Sequence, residues 1–544
     1  MNGAPSVRSN RNRHFAGTLL LAGTVLASLT EALAGTIPTL ARDDIIGSTH
    51  ATPDEFAWLD FAYVTLKLLG FLIAPWLLTH FSTRMLVIIA TLAMGVASSI
   101  ATCTVRLELL VAVRMIQGLS GGVLLVAGQT ALFFAFPKKQ QPFVQAIFAM
   151  GAIVAPATAA ITLEGWLLDI LSWAWIFFSI VPLSLAAAGI LLVADDPPAS
   201  LAPVRPFDWV GAMLISVALF CVSYVLSRGS RWDWLEEPHI LWLTVLGGAS
   251  FLFVLGRHAF GNGRRLFDAA PFRVESFSFA FAVSFVAGAG LSGSAFLIPL
   301  FSRSSLALTY LETGKLLLPS GALFSASLLL AAYMIQARRV PPIATIPIGI
   351  LMIMTAMWML SGTTSESGPD DMMTPILIRG VGFGFVFLSI TLTAFMGLER
   401  RDLAVGISLF NVGRQLGSLI GVAVLATLID HQVARNVTVL GASVVVGEPT
   451  VSERMTTLSA VLAEHGFSTT TTVSASIRLL DRALIDQSTV IAFNTGFNCV
   501  ALLFVLAAPL MIVFKVFLRM VTQRVKGSRA GSGVIDQSPK REAP

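Results

Sequence analysis

Long apolar runs, separated by short polar segments, follow one another along almost the whole chain. An α-helix needs about 20 predominantly apolar residues to cross the hydrocarbon core of a bilayer. Fourteen runs meet this requirement, so the pattern predicts an all-α membrane protein with fourteen transmembrane helices. The predicted spans are residues 15–40, 57–79, 85–103, 108–136, 142–164, 173–194, 209–227, 240–257, 276–301, 312–335, 340–361, 372–398, 403–429 and 489–518.

Basic residues are divided unequally between the two sets of short loops. Cytoplasmic loops are enriched in Lys and Arg, and placing the N terminus inside gives twelve basic residues on that side against five outside. The inner set comprises Arg84, Lys138, Lys139, Arg205, Arg257, Arg264, Arg265, Arg273, Arg338, Arg339, Arg400 and Arg401. The outer set comprises Arg42, Arg106, Arg228, Arg231 and Arg303. Because the number of spans is even, both termini are predicted to be cytoplasmic.

Two polar segments and one repeated motif suggest how the chain is organised. Residues 195–208 are interpreted as a Pro-rich linker, and residues 430–488 as one long outer loop whose later part, Ala475 to Ser488, has helical spacing. Arg114 in span four and Arg379 in span twelve each precede a Gly-rich stretch, and such repeated halves around a midplane site are typical of secondary transporters. The predicted domains are an N-terminal six-helix bundle (1–194), the linker with an inserted helix pair (195–275), a C-terminal six-helix bundle (276–518) and a cytoplasmic tail (519–544).

The amino-acid composition and the motifs that are missing limit the classes of function that this chain can have. Only 12% of the 544 residues are charged, whereas soluble domains carry about 25%. The three cysteines form no CxxC pair, and neither a phosphate-binding loop nor a nucleophile motif occurs. We therefore expect a membrane protein that is not an enzyme and that has no metal site or cofactor.

Four ionisable residues lie inside predicted spans of the first half, where a charge is costly and usually has a partner and a function. Arg114 is either a charge partner in a gating or proton-transfer network or a structural residue bound to carbonyls. Glu31 is either a proton carrier or a solvated group near the outer mouth, and the same two interpretations apply to Asp60. Lys67 is the deeper charge of span two, and we expect it to meet Glu31 across the helix interface.

Further candidates occur near these residues and in the second half. Gly118, Gly121 and Gly122 allow another helix to approach closely. Glu164 closes span five, where solvation at the outer end is the expectation. The residues that either contact substrate or hold a bundle together are Gln117, Arg379, Asn411 and Arg414. The many Phe and Met side chains are expected to line an adaptable apolar cavity in part.

Several stretches occur in a specific order and spacing: RMIQGLSGG (114–122), LSWAWIFFSIVPLSL (171–185), the segments 208–240, 377–394 and 403–423, and the entrance to the last span (479–497). They resemble the fourteen-helix drug:proton antiporter branch of the major facilitator superfamily, in particular EmrB-type multidrug exporters of Gram-negative inner membranes. The resemblance implies efflux of amphipathic or toxic small molecules, driven by the proton gradient. It also implies a role for Arg114 in proton coupling, and a periplasmic adaptor with an outer-membrane channel as partners.

The chain departs from the family pattern at the coupling motifs. The loop LLTHFSTRM (77–85) keeps Arg84 but lacks the family's Asp and Gly. The first helix has Leu29 at the position of an Asp, which Glu31 is expected to replace. The antiporter motif of span five keeps Gly151 and Pro156. Two alternatives therefore stay open: an uncoupled facilitator or metabolite exporter, and a membrane receptor or sensor built on a transporter scaffold.

Overall fold

The computed structural model describes residues 7–197, 208–232, 234–260, 269–444, 448–465 and 469–532. All regular secondary structure in these ranges is helical. In these ranges thirteen helices are long and apolar enough to cross a membrane, and the bent helix pair Gln141–Ala157 and Ala159–Ile170, counted as one span, makes a fourteenth. The predicted all-α membrane fold with fourteen transmembrane helices is therefore confirmed.

The helices of the first half follow the predicted spans closely. They are α1 (Val7–Leu40), α2 (Arg42–Thr49), α3 (Pro53–Leu77), α4 (Thr83–Thr102), α5 (Leu107–Ala135), α6 (Gln141–Ala149), α7 (Ala155–Ala157), α8 (Ala159–Ile170) and α9 (Ala174–Val193). Capping explains where α3 begins, since the Thr52 side chain accepts from the backbone N–H of Glu55, and the Glu55 carboxylate accepts from the N–H of Thr52.

The inserted pair and the second half complete the chain. They are α10 (Trp209–Arg228), α11 (Pro238–Phe260), α12 (Glu275–Ser304), α13 (Tyr310–Gln336), α14 (Ile346–Leu360), α15 (Pro369–Phe395), α16 (Leu403–Gly441), α17 (Pro449–Glu464) and α18 (Thr469–Ser532). Most of the linker, with Arg205, lies outside the described residues, as do Arg264, Arg265 and the end of the tail.

The prediction of a loop over residues 430–488 is wrong for most of the segment, whereas the helical spacing of Ala475–Ser488 is confirmed. Helix α16 continues to Gly441, α17 covers Pro449–Glu464, and α18 already begins at Thr469. The side-chain amide of Asn436 donates to the Ser488 carbonyl, which joins α16 to α18. Thr, Ser and Val are weak helix formers, and packing of α18 against α16 and α17 outweighs that preference. These residues form a helical extension on the predicted outer face.

The inserted pair packs against the first bundle through α10 and α3. Trp58 of α3 stacks on Phe220 of α10, with ring centroids 5.9 Å apart. At the predicted outer end, Arg228 forms an ion pair of 3.1 Å with Asp54. The domain boundaries themselves stay a prediction.

The two bundles meet on the predicted cytoplasmic face. The rings of Phe133 at the end of α5 and Phe395 at the end of α15 pack edge to face, with centroids 5.6 Å apart. The Arg400 guanidinium donates to the Phe134 carbonyl at 3.0 Å. These contacts join the two bundles at the ends of α5 and α15.

Candidate functional site

Arg114 is buried in the interior of the first bundle, where it connects three helices. Its Nη1 donates to the Ala34 carbonyl of α1 at 2.5 Å, and its Nε donates to the Leu59 carbonyl of α3 at 3.4 Å. Nη1 also donates to the Gln117 side-chain oxygen at 3.2 Å. In the part of the chain that the structure describes, Nη2 has no hydrogen-bond partner. The hydrogen bonds to carbonyl groups match the structural interpretation. Nη2 of Arg114, however, can still donate a hydrogen bond to an anionic partner.

A buried ion pair lies next to this guanidinium. The Lys67 ammonium contacts the Glu31 carboxylate, as we expected from the sequence, and the Tyr63 hydroxyl donates to the same oxygen at 2.8 Å. The Arg114 guanidinium lies over the Tyr63 ring, 4.1 Å from its centroid. Glu31, Lys67, Tyr63 and Arg114 therefore form one connected network, in which a change at the carboxylate can reach the guanidinium through Tyr63.

Glycines of α5 bring this network together. A Cβ atom at Gly118 would lie 2.1 Å from the Tyr63 carbonyl oxygen, and one at Gly122 would lie 2.3 Å from that of Lys67. A Cβ at Gly121 would lie 2.9 Å from Cγ of Glu31. Only glycine fits at these distances, so the predicted close approach is present, and it places α1 and α3 directly against α5.

Asp60 lies about two turns into α3. Its side chain is exposed. Arg114 and Lys67 are within electrostatic range of its carboxylate. Asp60 therefore combines the two interpretations left open by the sequence, since it is solvated and also adjoins the charge network.

Glu164 contradicts the expectation of a solvated residue, because its side chain is fully buried. Helix α8 extends beyond the predicted end of span five, to Ile170, so Glu164 lies inside the span rather than at its end. One carboxylate oxygen lies 2.5 Å from the Thr36 hydroxyl of α1. The other has no hydrogen-bond partner among the described residues.

The helix of span five is broken where the sequence places the antiporter motif. Residues Met150–Val154 form a π-helical turn, and the chain bends by 42° at Thr158. Pro156 lacks an N–H and cannot continue regular α-helical bonding, while a Cβ at Gly151 would lie 2.3 Å from the Ser28 hydroxyl of α1. Gly151 and Pro156 thus shape the contact between span five and α1.

A cavity lies between the two bundles. Its walls come from α5, α6, α15 and α16, and they include the apolar rings of Phe148 and Phe410. Arg414 and Asn411 line the cavity, and the Arg414 guanidinium donates to the Asn411 side-chain oxygen at 2.8 Å. The lining therefore combines apolar side chains with three amides and one guanidinium, and in this conformation the cavity has room for only about one water molecule.

Two cavity residues, Gln129 and Gln145, are not among the candidates predicted from the sequence. Their side chains hydrogen-bond to each other at 3.1 Å, across the contact between α5 and α6. The available signal was an amide side chain inside an apolar stretch of each span, which is costly in a bilayer unless the amide has a partner.

The remaining candidates lie outside this cavity. Gln117 donates to the Ser98 hydroxyl of α4 at 2.8 Å, and Arg379 donates to the Ser294 hydroxyl of α12 at 2.8 Å. Both side chains are buried between helices of their own bundle, which favours the bundle interpretation over substrate contact. Arg84 contacts the Ala194 carbonyl, so it caps the end of α9.

Comparison with known proteins agrees with this architecture. The sequence profile described as Major Facilitator Superfamily matches residues 19–422. The colistin resistance protein EmrB of Acinetobacter baumannii is 23% identical over 477 residues, covering 86% of this chain and 91% of that protein. The multidrug export protein EmrB of Haemophilus influenzae is 26% identical over 406 residues, covering 74% and 78%.

A solved structure shows the same fold. It is that of a bacterial homologue of the human lysosomal transporter Spinster, in an inward-facing and unoccupied conformation. The TM-score is 0.52 at 12% identity, over 92% of this chain and 97% of that one. The resemblance to EmrB-type proteins is confirmed by the sequence relatives, and the chain belongs to the Major Facilitator Superfamily as a multi-pass membrane transporter.

Proposed function

We propose that this transporter exports amphipathic small molecules across the inner membrane in exchange for protons. The observation that carries the proposal is the buried network of Glu31, Lys67, Tyr63 and Arg114. Protonation of Glu31 neutralises the partner of Lys67 and removes the ion pair that joins α1 to α3. Because Tyr63 also contacts Arg114, the change reaches α5, which lines the cavity between the bundles.

The cavity supports the substrate side of the proposal. Phe148 and Phe410 offer apolar contacts and Arg414 with Asn411 offers a polar one, so opening of the cavity during the transport cycle would present both to a substrate. Relatives named for multidrug export and for colistin resistance favour efflux over uptake. Asp60, whose side chain is exposed and within electrostatic range of Arg114 and Lys67, offers a route for protons between water and the network.

Proteoliposomes with an imposed pH gradient test the coupling. The purified protein is expected to accumulate an amphipathic fluorescent dye only when a pH gradient is present. Glu31→Gln is expected to abolish this accumulation while leaving dye counterflow intact, because the neutral amide cannot carry the proton. Glu399→Gln is the matched control, since Glu399 is an exposed carboxylate that pairs with Arg401 on the surface.

Other outcomes would identify the alternatives. Dye flux that is independent of the pH gradient would contradict proton coupling and would indicate a facilitator. Dye binding without counterflow would indicate a receptor or sensor.

We also propose that the helical extension on the predicted outer face binds a periplasmic adaptor. Val473, Ile477, Leu480 and Leu484 of α18 follow a 4-3-4 spacing, and the side chains of Val473 and Ile477 are each 55% exposed. That spacing is the one by which helices pair in coiled coils. An α-helical adaptor is therefore the occupant that the surface favours.

This second proposal is tested by comparing dye transport across the single membrane of proteoliposomes with drug resistance of cells, in which the drug has to cross two membranes. Ile477→Glu is expected to leave dye transport in proteoliposomes unchanged but to abolish drug resistance in the native host. Thr457→Glu, on the exposed surface of α17, is the matched control. Full resistance of the Ile477→Glu strain would contradict adaptor binding at this stripe.

A further inference from the structure

Glu164 is a buried carboxyl group that the network around Glu31 does not include. It lies six residues before the end of α8, about 9 Å along the helix axis from the predicted outer end. The adjacent Gly165 packs so closely against α13 that a Cβ there would lie 2.8 Å from the Tyr310 carbonyl oxygen. Glu164 is therefore located where the first bundle meets the second.

The hydrogen bonds of Thr36 accommodate two protonation states of Glu164. The Thr36 hydroxyl oxygen lies 2.5 Å from Oε1 of Glu164, 3.0 Å from the Ala32 carbonyl and 3.2 Å from the Leu33 carbonyl. A hydroxyl has only one proton to donate. When Glu164 is ionised, Thr36 donates to the carboxylate. When Glu164 is protonated, it donates to Thr36, which then donates to a backbone carbonyl, and no heavy atom has to move.

Two atoms without a hydrogen-bond partner indicate which group the Glu164 carboxylate pairs with after it loses its proton. In the described part of the chain, Oε2 of Glu164 and Nη2 of Arg114 are both buried and without a hydrogen-bond partner. The two side chains are within electrostatic range of each other. A buried polar atom without a partner is costly, and an ion pair between these two groups would satisfy both.

The other charged groups near Glu164 do not compete with Arg114 for this pairing. Helix α8 packs against α1, α9 and α13. The titratable groups on those elements nearest this face are Glu31 on α1 and Tyr310, Glu312 and Lys315 on α13, while α9 contributes none. Glu31 already contacts Lys67, and Glu312 caps the start of α13. Lys315 is exposed to solvent, so Arg114 is the buried cation that remains to neutralise Glu164.

We propose that Glu164 is a second proton-binding site of the transport cycle. It holds a proton against Thr36 in this conformation, and it pairs with Nη2 of Arg114 once the proton leaves to water. Each cycle adds one proton to the carboxylate and removes it again, so the charge of Glu164 alternates between zero and minus one. Because α8 lies between the bundles, this exchange of partners changes the contact along which the two bundles move relative to each other. This inference rests on the proposed proton coupling.

Glu164→Gln separates a proton-binding role from a structural one. The amide can still donate to and accept from Thr36, so a merely structural hydrogen bond survives the substitution. The variant is expected to retain dye counterflow but to lose accumulation driven by a pH gradient. Infrared difference spectra of the purified protein are expected to show the C=O stretch of a buried protonated carboxyl group in the wild type, and its loss in the variant. Glu164→Asp is expected to restore both signals in part.

The outcomes distinguish this inference from the proposed function. A wild type that ignores the pH gradient would refute proton-coupled export, and Glu164 as a coupling site with it. A wild type that responds, together with a Glu164→Gln variant that accumulates dye equally well, would refute only the role of Glu164. An infrared band that the substitution leaves unchanged would also overturn it, whatever the transport result.

Discussion

The close contact between α3 and α5 allows a quantitative prediction for Gly118→Ala. The added methyl group would lie 2.1 Å from the Tyr63 carbonyl oxygen, whereas ordinary contacts begin near 3.4 Å. The clash is with backbone, which cannot rotate away, so α3 has to move by about 1 Å or more. Overpacking of this kind costs about 1–3 kcal/mol. Replacing glycine by alanine inside a helix returns up to about 1 kcal/mol, so the free energy of unfolding is expected to fall overall.

Gly189→Ala is the matched control. Gly189 also lies inside a membrane-spanning helix, but a methyl group there meets no other described atom within 4 Å. Both variants gain the same helix propensity, so the difference between them isolates the packing cost of about 1–3 kcal/mol. Equilibrium unfolding in mixed micelles, followed by circular dichroism, measures this difference.

The same substitution tests the connection between packing and transport. Movement of α3 carries Tyr63 and Lys67 away from α1, so Gly118→Ala is also expected to reduce transport driven by a pH gradient. A Gly118→Ala variant as stable as Gly189→Ala would refute the reasoning, because it would mean that α3 and α5 are not in backbone contact.

Three further predictions concern charges. Lys67→Met leaves Glu31 as an unpaired buried charge and is expected to lower the free energy of unfolding by about 3–5 kcal/mol. A second substitution, Glu31→Gln, is expected to restore most of this loss. A double-mutant cycle without this rescue would contradict the ion pair. The carboxylate of Asp54 is 42% exposed, so its ion pair with Arg228 is expected to have a coupling energy below about 1 kcal/mol in a double-mutant cycle. A value several times larger would show that the pair holds the inserted helices in place. Arg414→Gln is expected to abolish the preference of the purified protein for dodecanoate over dodecanamide in thermal-shift titrations, and an unchanged preference would place the cationic end of the cavity elsewhere.

Much of the fold was predictable because it depends on local properties of the chain. Whether a segment can cross a bilayer depends on its own length and apolarity, so the fourteen spans could be counted directly. The exceptions lay outside the bilayer, where α16 and α18 continue as helices through a segment rich in Thr and Ser. Helix formation there depends on packing between the segments, which local propensity does not describe.

The candidate site was only partly predictable. Burying an isolated charge is so costly that Lys67 needed an anion nearby, and Glu31 was the carboxylate available to it. The predicted role of the glycines in close packing was also sound, because glycine permits a contact that no other residue does. In contrast, Gln129 and Gln145 could not be paired in advance, since each sequence position allows many rotations of its helix.

The sequence by itself determined that this chain crosses a membrane many times, that it contains charges that need partners, and which glycines permit close contact. These conclusions follow from transfer energies and from the size of single residues. The tertiary structure alone decided which face of each helix meets which neighbour. That rotation brought Tyr63 between Glu31 and Arg114, placed Arg414 on the cavity wall, and buried Glu164 at the contact between the bundles.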